Sequence, residues 1–111
     1  MKPLPRVAIL AIEAMEIKRL AQEFSALGSE DRLRILGLLL GGKLPSCGEI
    51  AEELGLSNPA VSYHLRMLEE AGFILRTRRG RARCLELTPR LRELLRADVL
   101  RELKEEVGHG A

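Results

Sequence analysis

Asn58, Ala60, Ser62, Tyr63 and Arg66 place short polar groups, a methyl, a phenol and a guanidinium along one side of a short segment. Side chains of these types can bond to base edges, touch a thymine methyl or reach a phosphate. A little further on come Arg76, Arg78, Arg79, Arg81 and Arg83, with no acid from Arg76 to Arg83. A cluster of that kind suits a phosphate backbone, or a minor groove whose negative potential attracts arginine. An ordinary solvated helix face and a hairpin charged for solubility would explain each feature alone. Their succession along the chain is what points to duplex DNA.

The elements that must hold these groups are legible nearby. Ser46 and Glu49 form a capping box. The helix they open carries Ile50, Ala51 and Leu54 at helical spacing, and Gly55 ends it. Leu56 plugs the turn. Ser57 caps a second helix, and Pro59 sits in its first turn, where a missing N–H does no harm. That helix is expected to run to about Ala71, with Val61, Leu65 and Leu68 as its buried stripe. Ile74–Arg78 and Arg81–Leu87 then read as two strands about a turn at Arg79-Gly80. Leu85 and Leu87 point inward, and Cys84 and Glu86 point the other way. Helix, turn, helix and basic hairpin outline a winged helix-turn-helix.

On either side the chain reads as helix. Val7–Leu27 carries Glu13, Ile17, Leu20, Phe24 and Leu27 roughly on one face, with Ile9, Ile12 and Met15 adjacent. Ser29 caps a helix over Asp31–Leu40, in which Leu33, Leu36 and Leu40 form a stripe widened by Ile35 and Leu39. Arg32 and Arg34 are expected outside it. Thr88-Pro89 opens one last helix to about Val107, with Leu91, Leu95 and Val99 on a face extended by Leu94, Leu100 and Leu103. The first and last helices have more apolar surface than a small domain needs. A two-fold interface involving Ile9, Ile12, Met15, Leu91, Leu95, Val99 and Leu103 is the reading. A dimer of this kind sets two reading helices about one DNA turn apart.

The chain has 111 residues, 46% of them apolar and 31% charged, which fits one folded domain over 1–111 rather than a disordered segment. No apolar run is long enough for a bilayer, and the N-terminal stretch lacks the pattern of a signal peptide, so a cytoplasmic location is expected. Residues 58–92 carry a net charge of +5, against −1 before them and −2 after them. The positive charge therefore coincides with the proposed contact surface. Two cysteines, Cys47 and Cys84, do not make a disulfide framework and read as thiols in a reducing compartment.

Several stretches resemble the ArsR/SmtB family of bacterial winged-helix repressors. They are Ala26–Leu36 (ALGSEDRLRIL), Glu49–Ser57 (EIAEELGLS), Pro59–Leu68 (PAVSYHLRML) with Ala71-Gly72-Phe73-Ile74, and Arg78–Arg81 at the wing tip. The resemblance covers roughly residues 20–90. It implies a mainly α winged helix-turn-helix, ordered α1-α2-α3-α4-β1-β2-α5 and dimerising through its first and last helices. It further implies a homodimeric repressor of transcription that binds an imperfect palindrome, with Ser57, Asn58, Ser62, Tyr63 and His64 in or around the DNA-contacting part. Family members are released by metal ions, arsenite or thiol oxidation.

The family's Cys-Val-Cys site corresponds here to Ser46, Cys47 and Gly48, so its two flanking ligands are lost. No histidine lies between His64 and His109, which removes the family's other metal site. No metal or cofactor is therefore expected. Cys47, at a helix N-terminus, and Cys84, beside arginines, are the candidate sensing thiols, with a small apolar filler as the plainer role for Cys47. His64 reads as a structural or phosphate-contacting group. An enzyme is not expected, since no HExxH, glycine-rich phosphate loop or nucleophile–base pair is evident. A winged-helix protein-interaction module that does not read DNA is the competing class.

Overall fold

Serine hydroxyls open three helices. Ser29 Oγ accepts from Arg32 N at 3.3 Å, Ser46 Oγ from Glu49 N at 3.2 Å and Ser57 Oγ from Ala60 N at 3.2 Å. Each bond satisfies a helix N–H that has no partner within the helix. The computed structural model describes residues 5–80 and 82–109, with side chains for all of these except 8–14, 79, 82–83 and 108–109. Its elements are α1 (Arg6–Leu27), α2 (Glu30–Leu40), α3 (Cys47–Leu54), α4 (Asn58–Glu70), β1 (Ile74–Arg79), β2 (Ala82–Leu87), α5 (Arg90–Leu94) and α6 (Ala97–His109).

Helix α2 is the centre. Ile35, Leu36, Leu38 and Leu39 are all buried, so it is enclosed nearly all round rather than along one stripe. Ile50 of α3, Val61, Leu65 and Leu68 of α4, Phe73, Ile74 and Leu91 complete a core of fully buried side chains. The α3–α4 turn passes through Gly55 at φ +67°.

The hairpin is antiparallel and pairs Ile74 with Leu87, Arg76 with Leu85 and Arg79 with Ala82. Strand β1 thus runs through Arg79 and the turn starts at Gly80, one residue later than the spacing predicts. Two-residue hairpin turns need positive φ at their first central position. Gly80 supplies it, at φ +64°, where a turn over 79–80 would have forced Arg79 into it. The root of the hairpin is tied across: Thr88 Oγ1 donates to Gly72 O at 2.6 Å and Thr88 N to Phe73 O at 2.9 Å.

The single last helix expected over 89–107 is divided. Leu95 takes extended backbone, φ −107° and ψ 143°, between α5 and α6. On a straight helix, at about 100° per residue, Leu100 would face the opposite way from Leu91. The break lets Leu91 enter the core while Leu100 and Val107 pack against it from another side. Arg96 Nε donates to Asp98 Oδ1 at 3.1 Å, and the same oxygen accepts from Val99 N at 3.0 Å, fixing the start of α6. Helix α6 reaches α2 at Gly37. A Cβ there would lie 2.6 Å from Leu103 O and 2.7 Å from Val107 Cγ2, so the close approach depends on glycine.

The described apolar side chains of α1 are mostly uncovered. Val7, Met15, Ile17 and Phe24 are 79%, 70%, 67% and 57% exposed, while Ala26 and Leu27 at its end enter the core. Near that end Glu23 is fully buried, its Oε2 accepting from Arg90 Nε at 2.5 Å and its Oε1 from Arg90 Nη2 at 3.0 Å. Hydrogen bonding from Arg90 outweighs the effect of burial and holds the Glu23 carboxyl below its ordinary range.

Candidate nucleic-acid interface

The buried stripe of α4 fixes which side faces out. With Val61, Leu65 and Leu68 fully buried, Ser57, Asn58, Ser62, Tyr63 and Arg66 are exposed and Ala60 is half-buried. The Arg66 guanidinium carbon lies 5.9 Å from the centre of the Tyr63 ring, so cation and ring project as one unit.

Of the wing arginines, the side chains of Arg76 and Arg78 are described, and both are exposed. Arg76 also reaches back to the α4 end, with Nε 3.6 Å from Glu69 Oε2, a contact that links β1 to α4. Arg78 stands opposite Arg83 in the register. The expected contacts at Arg79, Arg81 and Arg83 lie outside the described side chains, and Arg81 lies outside the described residues altogether.

His64 is turned onto α2. Its side chain is 14% exposed, with Nε2 3.7 Å from Asp31 Oδ2 and Nδ1 3.2 Å from Arg32 Nη1. Arg32, expected outside, folds inward. Its Nε donates to Ala26 O at 2.6 Å, filling a carbonyl at the end of α1, and its Nη2 donates to Ser25 O at 3.3 Å, which also accepts from Gly28 N at 3.2 Å. The sequence did hold a cue, since a guanidinium five residues beyond a helix end can reach the carbonyls of its last turn. Arg34 stays outside, 3.6 Å from both Glu30 Oε2 and Asp31 Oδ1.

Among the expected interface residues of the helical ends, Met15 and Val99 are exposed, Leu95 and Leu103 half-buried and Leu91 fully buried within the chain. The side chains of Ile9 and Ile12 lie outside those described. Cys47 is exposed and Cys84 half-buried, and both line a cavity of about 390 Å³ between the first turn of α3 and the wing, with Arg76 and Leu85. Among the described residues no three His, Cys, Asp or Glu side chains gather to hold a metal ion, and no helix is long and apolar enough to cross a membrane.

Two packed helices joined by a tight turn, followed by a two-stranded hairpin with exposed arginines, define a winged helix-turn-helix. Residues 27–77 match the family model described as a helix-turn-helix domain. The chain is 38% identical over 68 residues to the uncharacterised HTH-type transcriptional regulator YceK of Bacillus subtilis, covering 60% of this chain and 68% of that protein. It is 40% identical over 57 residues to the transcriptional repressor SdpR of the same organism, covering 51% of this chain and 62% of SdpR. An ArsR-like transcriptional regulator from Rhodococcus sp. RHA1 superposes with a TM-score of 0.64 at 27% identity, over 86% of this chain and 82% of that one. The chain belongs to the ArsR/SmtB-like family of winged helix-turn-helix transcriptional regulators, which are DNA-binding proteins and not enzymes.

Proposed function

We propose that the chain is a homodimeric repressor that reads operator DNA. Helix α4 enters the major groove with Ser57, Asn58, Ala60, Ser62, Tyr63 and Arg66, and the wing lays its arginines along the backbone or into the minor groove. The observation that carries this reading is the division of α4, whose one side is fully buried while Asn58, Ser62, Tyr63 and Arg66 are all exposed on the other. The exposed apolar residues of α1 support pairing with a second copy, and the name of SdpR supports repression.

The test is fluorescence anisotropy on the DNA upstream of the protein's own gene and on a scrambled duplex, across a salt series. Tighter binding to the native duplex, with steep salt dependence for both, is the expected outcome. Equal weak binding would favour an interaction module. Arg79→Ala should weaken binding to all duplexes alike, whereas Ser62→Ala and Tyr63→Ala should change sequence preference.

A thiol-responsive variant of this function is favoured by one observation, the shared cavity of Cys47 and Cys84 between α3 and the wing. Modification there would bear on both DNA-contacting elements. Unchanged release of DNA by oxidant or arsenite after replacing both cysteines with serine would remove it.

A further inference from the structure

We infer that Arg32, acting through His64, positions the reading helix, and that this requires His64 to leave Nδ1 unprotonated. The inference rests on α4 being the DNA-reading element.

Helix α4 is seated on the core by Val61, Leu65 and Leu68. That stripe sets which side of α4 faces out, but apolar contact is non-directional and does not by itself pin the last degrees of rotation about the axis. A hydrogen bond is directional. The Arg32–His64 contact supplies that direction, with Nη1 3.2 Å from Nδ1. The same guanidinium holds Ala26 O at 2.6 Å and Ser25 O at 3.3 Å. One side chain thus joins the end of α1, the first turn of α2 and the middle of α4. In a dimer seamed along α1, this chain of contacts would relate the seam to the reading surface.

A guanidinium has only donors, so Nδ1 must accept. The proton of a neutral ring then sits on Nε2, facing Asp31 Oδ2 at 3.7 Å. The groups facing the ring are Asp31 and Arg32 from α2 and, on α4 itself, the edge-on Tyr63 ring at 5.5 Å. A second proton on the imidazole would set N–H against N–H and cation against cation on the Arg32 side. The Asp31 contact would persist, and the ring would be drawn toward it and away from Arg32.

The neighbours on α4 make the consequence specific. His64 lies between Tyr63 and Arg66 in sequence, and a rotation of the helix there would move Ser62, Tyr63 and Arg66 together. Recognition of the correct sequence should suffer while attraction to phosphates remains. Were His64 instead a phosphate contact, protonation would strengthen binding to every duplex. The two roles have opposite signs.

The experiment compares wild type, His64→Asn and Arg32→Gln on the native upstream duplex and a scrambled one, between about pH 8 and pH 5.5, where an imidazole changes charge. Asparagine can offer Arg32 an amide oxygen close to the position of Nδ1 and does not titrate. The native-over-scrambled preference of wild type should fall about tenfold on acidification, as expected for losing a hydrogen bond to a charged group. His64→Asn should keep most of the preference at pH 8 and hold it at low pH. Arg32→Gln should be low at both. Nitrogen-15 spectra of the His64 ring in the DNA-free protein should show Nδ1 bare near pH 8, a readout that needs no operator and no folded Arg32 variant.

Parallel pH profiles for wild type and His64→Asn would overturn the inference. So would acid-strengthened binding to both duplexes that His64→Asn abolishes, or a ring protonated on Nδ1 near pH 8. Equal binding of both duplexes by wild type at pH 8 would instead defeat the operator-reading function on which the inference stands.

Discussion

Helices α4 and α1 handle their apolar residues in opposite ways. Val61, Leu65 and Leu68 of α4 are fully buried, while Val7, Met15, Ile17 and Phe24 of α1 are largely exposed. Helix α4 has a serine cap that bonds Ala60 N, whereas α1 begins at Pro5 with no side-chain cap. A helix that must present polar groups to a ligand needs its other face settled inside its own subunit. The contrast teaches that apolar content alone does not say where burial occurs. In α4 the apolar residues are buried within the chain, and in α1 Val7, Met15, Ile17 and Phe24 stay exposed, the surface that the proposed second copy would cover.

The comparison breaks first in the core. Leu65→Ala should cost about 3 kcal/mol by chemical denaturation, because the site is fully enclosed. A change below about 1 kcal/mol would mean that α4 is less firmly seated than its burial indicates. Glu23→Ala, which leaves Arg90 without its buried partner, should cost nearly as much, about 3 kcal/mol near pH 7. The Glu23 carboxyl titrates below its ordinary value in the fold, so its contribution is present above the ordinary glutamate range and is lost as pH falls through the depressed value. The gap between wild type and variant should therefore hold from neutral pH down to the ordinary glutamate range, about pH 4–5, and narrow as the pH falls further. A gap that widens on acidification would contradict the pairing.

Smaller effects sharpen the contrast at the ends. Gly37→Ala should dislodge α6 from α2 and cost about 1–2 kcal/mol, since its Cβ would meet the backbone of Leu103. Hydrogen exchange should quicken over residues 97–109 more than over α4. Met15→Glu should change subunit stability by no more than about 0.5 kcal/mol. It should nevertheless shift the solution mass toward monomer by sedimentation. An unchanged mass would remove Met15 from the proposed seam.

What the sequence disclosed was mostly local. Ser29, Ser46 and Ser57 each bond an N–H three residues on, so the starts of α2, α3 and α4 were readable. The exposed face of α4 followed from the spacing of its buried stripe, and the basic hairpin from its arginines. The hidden parts depend on distant partners. Arg32 meets His64 across 32 residues and Arg90 meets Glu23 across 67, distances over which periodicity is silent. The break at Leu95 was hidden because no glycine or proline marks it and packing decides it. Gly37 did leave a signal: a glycine inside a leucine-rich helix disfavours helix by about 1 kcal/mol against alanine, which asks for a reason. The reason, the backbone of α6, lies 66 residues away at Leu103.

Thr88 holds both ends of the hairpin at one point through Gly72 O and Phe73 O. The wing is therefore a pendant loop as far as chain length is concerned. Two residues added symmetrically to its strands would lengthen its reach and leave the path of α4 and α5 unchanged. One residue added to β2 between Leu85 and Thr88 would turn over the faces of the strand beyond it and bring Cys84 toward the core in place of Leu85. Variation in wing length should therefore be tolerated in steps of two, so that the hairpin can change its reach in a graded way without rebuilding the centre of the fold.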